Sequence, residues 1–169
     1  MHDYEYVIRQ TQLEDIQQIA AIYAHEVRTG TASFEIEPPT PAQMTERVKD
    51  IWQNNYGHYV AVRHSTVLGY AYTSGYRSRP AYRFSVENSV YVASDSRGKG
   101  IASKLLQALF DDCKDKPFHQ MIAIIGDSAN HASINLHRSM GFKDTGVLKD
   151  VGYKFDRWID SVIMQKKLR

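Results

Sequence analysis

The sequence predicts a mixed α/β (α+β) fold, a twisted and mostly antiparallel sheet with helices on both faces. Three observations predict it. Two β-rich runs, "HYVAVR" (58–63) and "VLGYAYTSGY" (67–76), flank the polar turn His64-Ser65-Thr66 in the manner of a hairpin. Residues 85–125 read strand, helix, strand, which calls for a parallel, right-handed crossover. The remaining segments alternate three- and four-residue apolar periodicity with further strand-like runs, so apolar helix stripes must cover both faces of the sheet.

Taken in order, Val7-Ile8-Arg9 suggests a first strand. Leu13, Ile16, Ile19, Ala20 and Tyr23 then repeat as one buried helix face, giving a helix from 13 to about 27. "RTGTASFEIEPPTP" (28–41) is a loop: its prolines forbid a regular ladder, and Phe34 and Ile36 remain as apolar plugs. Thr40 can cap a second helix that begins at Pro41 and continues to about 54. After the hairpin comes a basic and aromatic connection, "YRSRPAYR" (76–83), and then a strand, "SVENSVYVA" (85–93). The third helix begins after Gly100 and must stop near Lys116, because Pro117 follows. "FHQMIAII" (118–125) is apolar enough for a strand covered on both faces. "ASINLHRSMGF" (132–142) reads as a short helix ended by Gly141, and "TGVLKDV" and "WIDSVIMQKKL" supply two closing strands. No repeat, low-complexity tract or linker interrupts the 169 residues, which are expected to form one domain, 1–169.

Composition narrows the function. Hydrophobic residues make up 43% and charged residues 24%, ordinary proportions for a globular protein, and no apolar run approaches the length of a membrane span. Early acids stand where a signal peptide would be basic, and Cys113 is the single cysteine, so a cytoplasmic protein with no internal disulfide and no membrane partner is expected. A net charge of +2, spread along the chain, gives no reason to expect nucleic acid. The seven histidines include no i, i+4 pair and have no cysteine cluster nearby, so no metal is expected.

The stretch with the strongest chemical signal is "YVASDSRGKGIASKLLQALFDDC" (91–113), a strand end, a cationic glycine turn and a helix start. In that geometry successive N–H groups point outward together and the helix dipole adds partial positive charge, which makes a cradle for an anion. Arg97 and Lys99 add full charges, and Gly98 and Gly100 let a phosphate approach the main chain without meeting a Cβ. A Walker A loop fails twice, with Ser103 at its second glycine and Leu105 at its hydroxyl. A dinucleotide fingerprint fits Gly98 and Gly100 but meets Ser103 at its third position. Arg/Gln-x-x-Gly-x-Gly/Ala is matched in full by Arg97, Gly100 and Ala102. By average residue usage that pattern arises by chance in about one chain of this length in six or seven, so its context has to carry it.

That context agrees along essentially the whole chain. With this motif at the start of its third helix, the sequence resembles the GCN5-related N-acetyltransferases (GNAT). "SFEIEPPT" (33–40), "VENSVYV" (86–92), "NHASINLHRSMGF" (130–142) and "GYKFDRWIDSVIMQ" (152–165) follow in order, and they are similar to segments of the phosphinothricin/methionine sulfoximine N-acetyltransferases within that superfamily. The resemblance implies a GNAT-like sheet with a V-shaped splay after the strand ending at Val92. It implies acetyl-CoA as co-substrate, its pyrophosphate on Arg97, Gly98, Lys99, Gly100, Ile101, Ala102 and Ser103. Its pantetheine arm would run along Val90, Tyr91 and Val92, with Asn130 and Ser133 as further contacts. A homodimer is implied on the same ground.

Acyl transfer to an amine needs a donor for the thioester oxygen, a group that takes the ammonium proton, and a partner for the departing thiolate. On the resemblance, the donor is the main-chain N–H of Val92. Glu87, on the same strand, is the candidate base; its alternative is a solvated residue paired with Arg83 or Lys99. His137 stands where many relatives have a tyrosine, as acid, as neutral donor, or as a satisfied core histidine. Tyr91 and Phe34 have packing roles as alternatives, and Cys113 reads as a small buried hydrophobe. The acceptor is expected among Phe34, Glu35, Tyr76, Arg77, Arg83, Glu87, Asn88 and Ser89, where guanidinium groups beside aromatic rings suit a small carboxylate-bearing amine. Tyr82 and Arg79 lie on the same connection, which is otherwise a solvated basic loop. The expected reaction is acetyl transfer to the α-amine of methionine sulfoximine, methionine sulfone or phosphinothricin by direct attack in a ternary complex. Another amine, such as a polyamine, aminoglycoside or protein N-terminus, and a non-catalytic CoA- or nucleotide-binding module are the alternatives.

Overall fold

The computed structural model describes residues 5–169. Met1 to Tyr4, part of the stretch read for a leader, lie outside the described residues. Seven strands form one sheet: β1 (Val7–Gln10), β2 (His58–Arg63), β3 (Thr66–Gly75), β4 (Ser85–Val92), β5 (Gln120–Gly126), β6 (Lys143–Lys154) and β7 (Arg157–Lys167). Their order is β1-β2-β3-β4-β5-β7-β6, and each neighbouring pair is antiparallel except β4 with β5. Helices α1 (Ile16–Thr29) and α2 (Pro41–Gln53) cover one face, and α3 (Ile101–Cys113) and α4 (His131–Ser139) the other. The expected fold class is the observed one, and the 58–76 hairpin and the parallel pairing of the two strands of the 85–125 unit stand as read. The first predicted helix opens with a separate 3-10 turn, Leu13–Asp15, where Asp15 turns back to accept from the Gln12 N–H at 2.8 Å and pairs with Arg9.

Local sequence explains the helix ends. Thr40 Oγ1 accepts from the Gln43 N–H at 3.2 Å while Gln43 Oε1 accepts from the Thr40 N–H at 2.8 Å, and Pro41 follows at the first helical position. α3 buries Ile101, Leu105, Leu106, Leu109 and Cys113 against the sheet, each large side chain contributing about 1.5–3 kcal/mol. On the opposite face Ile16, Ile19, Tyr23 and Val27 of α1 meet Met44 and Val48 of α2 over Val60 and Tyr70. His58 lies in this second layer, 2% exposed, stacked on Tyr70 and Tyr72 and bonded through Nδ1 to the Thr11 hydroxyl at 2.7 Å. Burial holds its pKa down at about 4, against a nearby Asp15 charge that pulls the other way.

The sheet opens beside β4. The parallel ladder runs only from Ser85 opposite Gln120 to Asn88 opposite Ala123, after which β4 continues on β3 to Val92 and β5 continues on β7 to Gly126. Successive strand residues direct their main-chain groups to opposite neighbours. Ser85 accepts from the Tyr76 N–H and Ala93 donates to the Leu68 carbonyl, so the odd positions of β4 face β3. Val90 and Val92 therefore present their N–H groups to the gap where β5 has turned away. Side chains alternate too: Glu87, Ser89 and Tyr91 lie opposite Ser74, Tyr72 and Tyr70 on the α1/α2 face, whereas Val86, Asn88, Val90 and Val92 point to the α3/α4 face.

Among the described residues, no helix is long and apolar enough to cross a membrane.

Candidate active site

The glycine turn closes one end of the gap. Gly98 and Gly100 both have φ of +74°, a region in which a side chain is strained. Gly100 caps α3 without a side-chain hydrogen bond, which leaves the N–H groups of 101–103 pointing out of the helix. A Cβ on Gly98 would meet nothing within 4 Å, so the space above the turn is open. The cations are more committed than their sequence suggests. Arg97 donates through Nε to the Val92 carbonyl at 3.3 Å and through Nη2 to Glu26 at 3.1 Å. Lys99 donates to the Asp95 carbonyl at 2.9 Å, and Ser103 Oγ to the Gly100 carbonyl at 2.7 Å. Glu26 also accepts the Ala32 N–H at 3.1 Å, which ties the turn to the loop after α1.

A cavity of about 600 Å³ runs from this turn along β4 to the start of α4. Eleven of the twelve residues assigned to the coenzyme line it, Lys99 being the exception. The cavity is elongated along main chain at Val90–Val92 and bordered by an uncapped helix start, a donor set that suits a chain of amides ending in a diphosphate.

The other face of β4 carries the candidate acceptor site. Glu87 is half-buried, and desolvation raises its carboxyl pKa while the Arg77 guanidinium draws it back. Arg77 lies exposed with its guanidinium 5.0 Å from the centre of the Tyr76 ring, and Tyr76 meets Tyr82 edge-on. Arg83 lies over Phe84 and donates to the Pro80 carbonyl, in a 3-10 turn, Pro80–Tyr82, that begins after Arg79. Tyr72 stands opposite Ser89 across the β3–β4 ladder, and burial raises its hydroxyl pKa while the neighbouring Ser89 draws it back. The loop that carries Phe34 and Glu35 is fastened from three sides. Glu35 accepts from Arg47 at 2.6 and 3.3 Å and from the Tyr23 hydroxyl at 3.1 Å. Lys154, buried on β6, donates to the Gly30 and Ser33 carbonyls at 2.8 and 2.9 Å. Phe34, 40% exposed, packs so closely over Gly152 that a Cβ there would enter its ring.

Two assignments change. Asn88 was expected with the acceptor but points to the opposite face, 5% exposed, because it is an even position between two odd ones. It meets His137, which is 3% exposed and has both ring nitrogens engaged: Nε2 lies 2.9 Å from Asn88 Nδ2, and Nδ1 lies 2.8 Å from the Ser133 carbonyl. Burial depresses the His137 pKa, so of the roles left open the satisfied core histidine fits this arrangement. Sequence reasoning passed over Tyr23, Glu26, Arg47 and Tyr72. The alternation along β3 signals Tyr72, whereas Arg47 and Glu26 become visible only once α1, α2 and the 28–41 loop are brought together. A further cavity of about 240 Å³ beneath α2 is lined by Arg47, Tyr72 and Ser74, and so adjoins the acceptor face. Among the described residues no cluster of His, Cys, Asp or Glu could hold a metal ion.

The profile of the Acetyltransferase (GNAT) family matches residues 19–142. The chain is 48% identical over 161 residues to a phosphinothricin N-acetyltransferase of Alcaligenes faecalis, covering 95% of this chain and 82% of that protein. It is 38% identical over 167 residues to an L-methionine sulfoximine/L-methionine sulfone acetyltransferase of Pseudomonas paraeruginosa, covering 95% and 94%. Among solved structures, a GNAT superfamily phosphinothricin acetyltransferase from Sinorhizobium meliloti in complex with AcCoA superposes with a TM-score of 0.92 at 41% identity, covering 96% of this chain and 88% of that one.

Proposed function

The chain belongs to the GNAT acetyltransferase family, and on that premise we propose that it is an acetyl-CoA-dependent N-acetyltransferase whose acceptor is the α-amine of a small amino-acid analogue. Methionine sulfoximine, methionine sulfone and phosphinothricin are the named acceptors. The observation that carries the reading is the parity of β4: one strand offers two free N–H groups to the long cavity and a half-buried carboxylate to the opposite face. Coenzyme and amine thus reach the same few ångströms of backbone from different sides, as direct attack in a ternary complex requires.

In this mechanism the glycine turn and the 101–103 N–H groups hold the diphosphate. The N–H groups of Val92 and, one pleat deeper, Val90 bind the pantetheine arm and the thioester oxygen as charge builds on it. Glu87, directly or through a water, accepts the proton that the ammonium group loses, and its raised pKa brings it closer to that task. The amine nitrogen bonds to the acyl carbon, the carbon–sulfur bond breaks as the amide forms, and CoA leaves as its thiolate, with the proton lost by the amine held on Glu87. Arg77 and the aromatic rings of the 76–83 connection take the acceptor carboxylate. The exposed apolar residues of β6 and β7, among them Leu148, Val151, Tyr153 and Trp158, supply a surface of the kind a second copy covers in a homodimer.

The test is thiol release from acetyl-CoA across a panel of amino acids, polyamines, aminoglycosides and peptides. Turnover with methionine sulfoximine, methionine sulfone or phosphinothricin supports the proposal, and preference for a cationic amine overturns the acceptor. CoA binding without turnover on any amine overturns the enzyme. Arg77→Ala is expected to raise KM for a carboxylate acceptor and to leave its decarboxylated analogue unaffected.

A further inference from the structure

The Asn88–His137 pair has a direction that can be read outward from its one unambiguous member. The Ser133 carbonyl can only accept, so the His137 nitrogen 2.8 Å from it, Nδ1, carries a proton. A buried imidazole with a lowered pKa is neutral, so Nε2 is left as a lone pair, and Asn88 Nδ2 donates to it at 2.9 Å. That bond fixes the plane of the Asn88 amide and directs its other end. Oδ1 is buried and has no partner, one of two such side-chain atoms among the described residues. Buried acceptors are rarely left so, because an unmade hydrogen bond forfeits the solvation that water supplied.

Asn88 lines a cavity of about 40 Å³ with Val90, Ser133 and His137, at the inner end of the gap between β4 and β5. The room is that of about one water or one chain terminus. It shares Val90, Asn130 and Ser133 with the long cavity that starts at the glycine turn. A ligand with its diphosphate on that turn and its arm along β4 brings its far end here.

We infer that Asn88 Oδ1 is a hydrogen-bond acceptor for the cysteamine end of the coenzyme, receiving either the amide N–H beside the sulfur or the S–H of the released thiol. The inference rests on the acetyl-CoA reading above. It assigns His137 the part of a positioning residue, which keeps the Asn88 amide from turning over, and it makes this end of the site selective for a donor.

Isothermal titration of wild type and Asn88→Leu with CoA and with acetyl-CoA tests it, circular dichroism verifying the fold. A three- to tenfold loss of affinity for both coenzymes assigns the bond to the amide N–H, which both carry. A loss for CoA alone assigns it to the thiol. Unchanged affinity for both overturns the inference. Imidazole nitrogen NMR of the wild-type protein is independent of whether the variant folds: the Nδ1–H tautomer is expected for His137 with and without coenzyme, and a proton on Nε2 in either state reverses the chain and overturns it. If wild type binds neither coenzyme, the acetyl-CoA reading fails, and the tautomer measurement still reports on the pair.

Discussion

Lowering the pH from 7 to 5 should cost the fold a definite amount through His58. The imidazole is neutral in the folded protein because it is buried between Tyr70 and Tyr72, which holds its pKa at about 4; unfolded, it returns to about 6.5. A depressed folded-state pKa means that the full contribution is present above pH 6.5 and is lost as the pH falls toward 4, since the unfolded chain takes up the proton first. Between pH 7 and 5 the unfolded state gains about 1.4 pH units' worth of proton binding that the folded state does not match, or about 2 kcal/mol. That is a sizeable share of the 5–15 kcal/mol typical of a domain. The assay is urea unfolding at both pH values for wild type and His58→Phe, which keeps a ring in the stack and removes the titration. Wild type should lose about 2 kcal/mol more than the variant across this interval. Parallel losses in the two proteins would refute the argument, because the other titrating groups are common to both.

Glu87→Gln is expected to lower kcat by about two to four orders of magnitude, with coenzyme affinity nearly unchanged by calorimetry. In the wild type the acid limb of kcat/KM should lie above the ordinary carboxylate range, since the base must be ionised to work and burial raises its pKa, and Arg77→Ala should move that limb to higher pH. Gly100→Val forces a β-branched residue to φ near +74° and is expected to weaken acetyl-CoA binding at least tenfold by distorting the turn, with destabilisation of about 1–2 kcal/mol seen in thermal unfolding. Burial pushes the Cys113 thiol up to about 11, so a disulfide reagent should modify it at pH 8 only as fast as the protein unfolds.

What could be read in advance followed from local rules. The Thr40–Pro41 cap, the apolar stripe of α3 and the glycine turn each depend on a few adjacent residues, and each lies where the sequence indicates. That Asn88 lies on the face opposite Glu87 and Ser89 was legible, since a strand sends neighbours to opposite faces, and a contiguous motif such as 87–89 cannot serve one pocket with all its side chains. The end of the β4–β5 ladder at Asn88 and Ala123 was not legible, because nothing in either strand alone encodes where two elements stop pairing. The Glu26–Arg97 and Glu35–Arg47 pairs likewise join residues 71 and 12 positions apart and exist only after the layers pack.

On the proposed reading β4 shows odd-numbered side chains to one reactant and even-numbered ones to the other, so inheritance can tinker with them separately. Exchanges at 89 would shift which amine is accepted without disturbing the shared acyl donor, whereas drift at 88 or 90 would disturb the donor for every amine alike. A lineage built this way can diversify its tastes quickly while its common currency stays fixed.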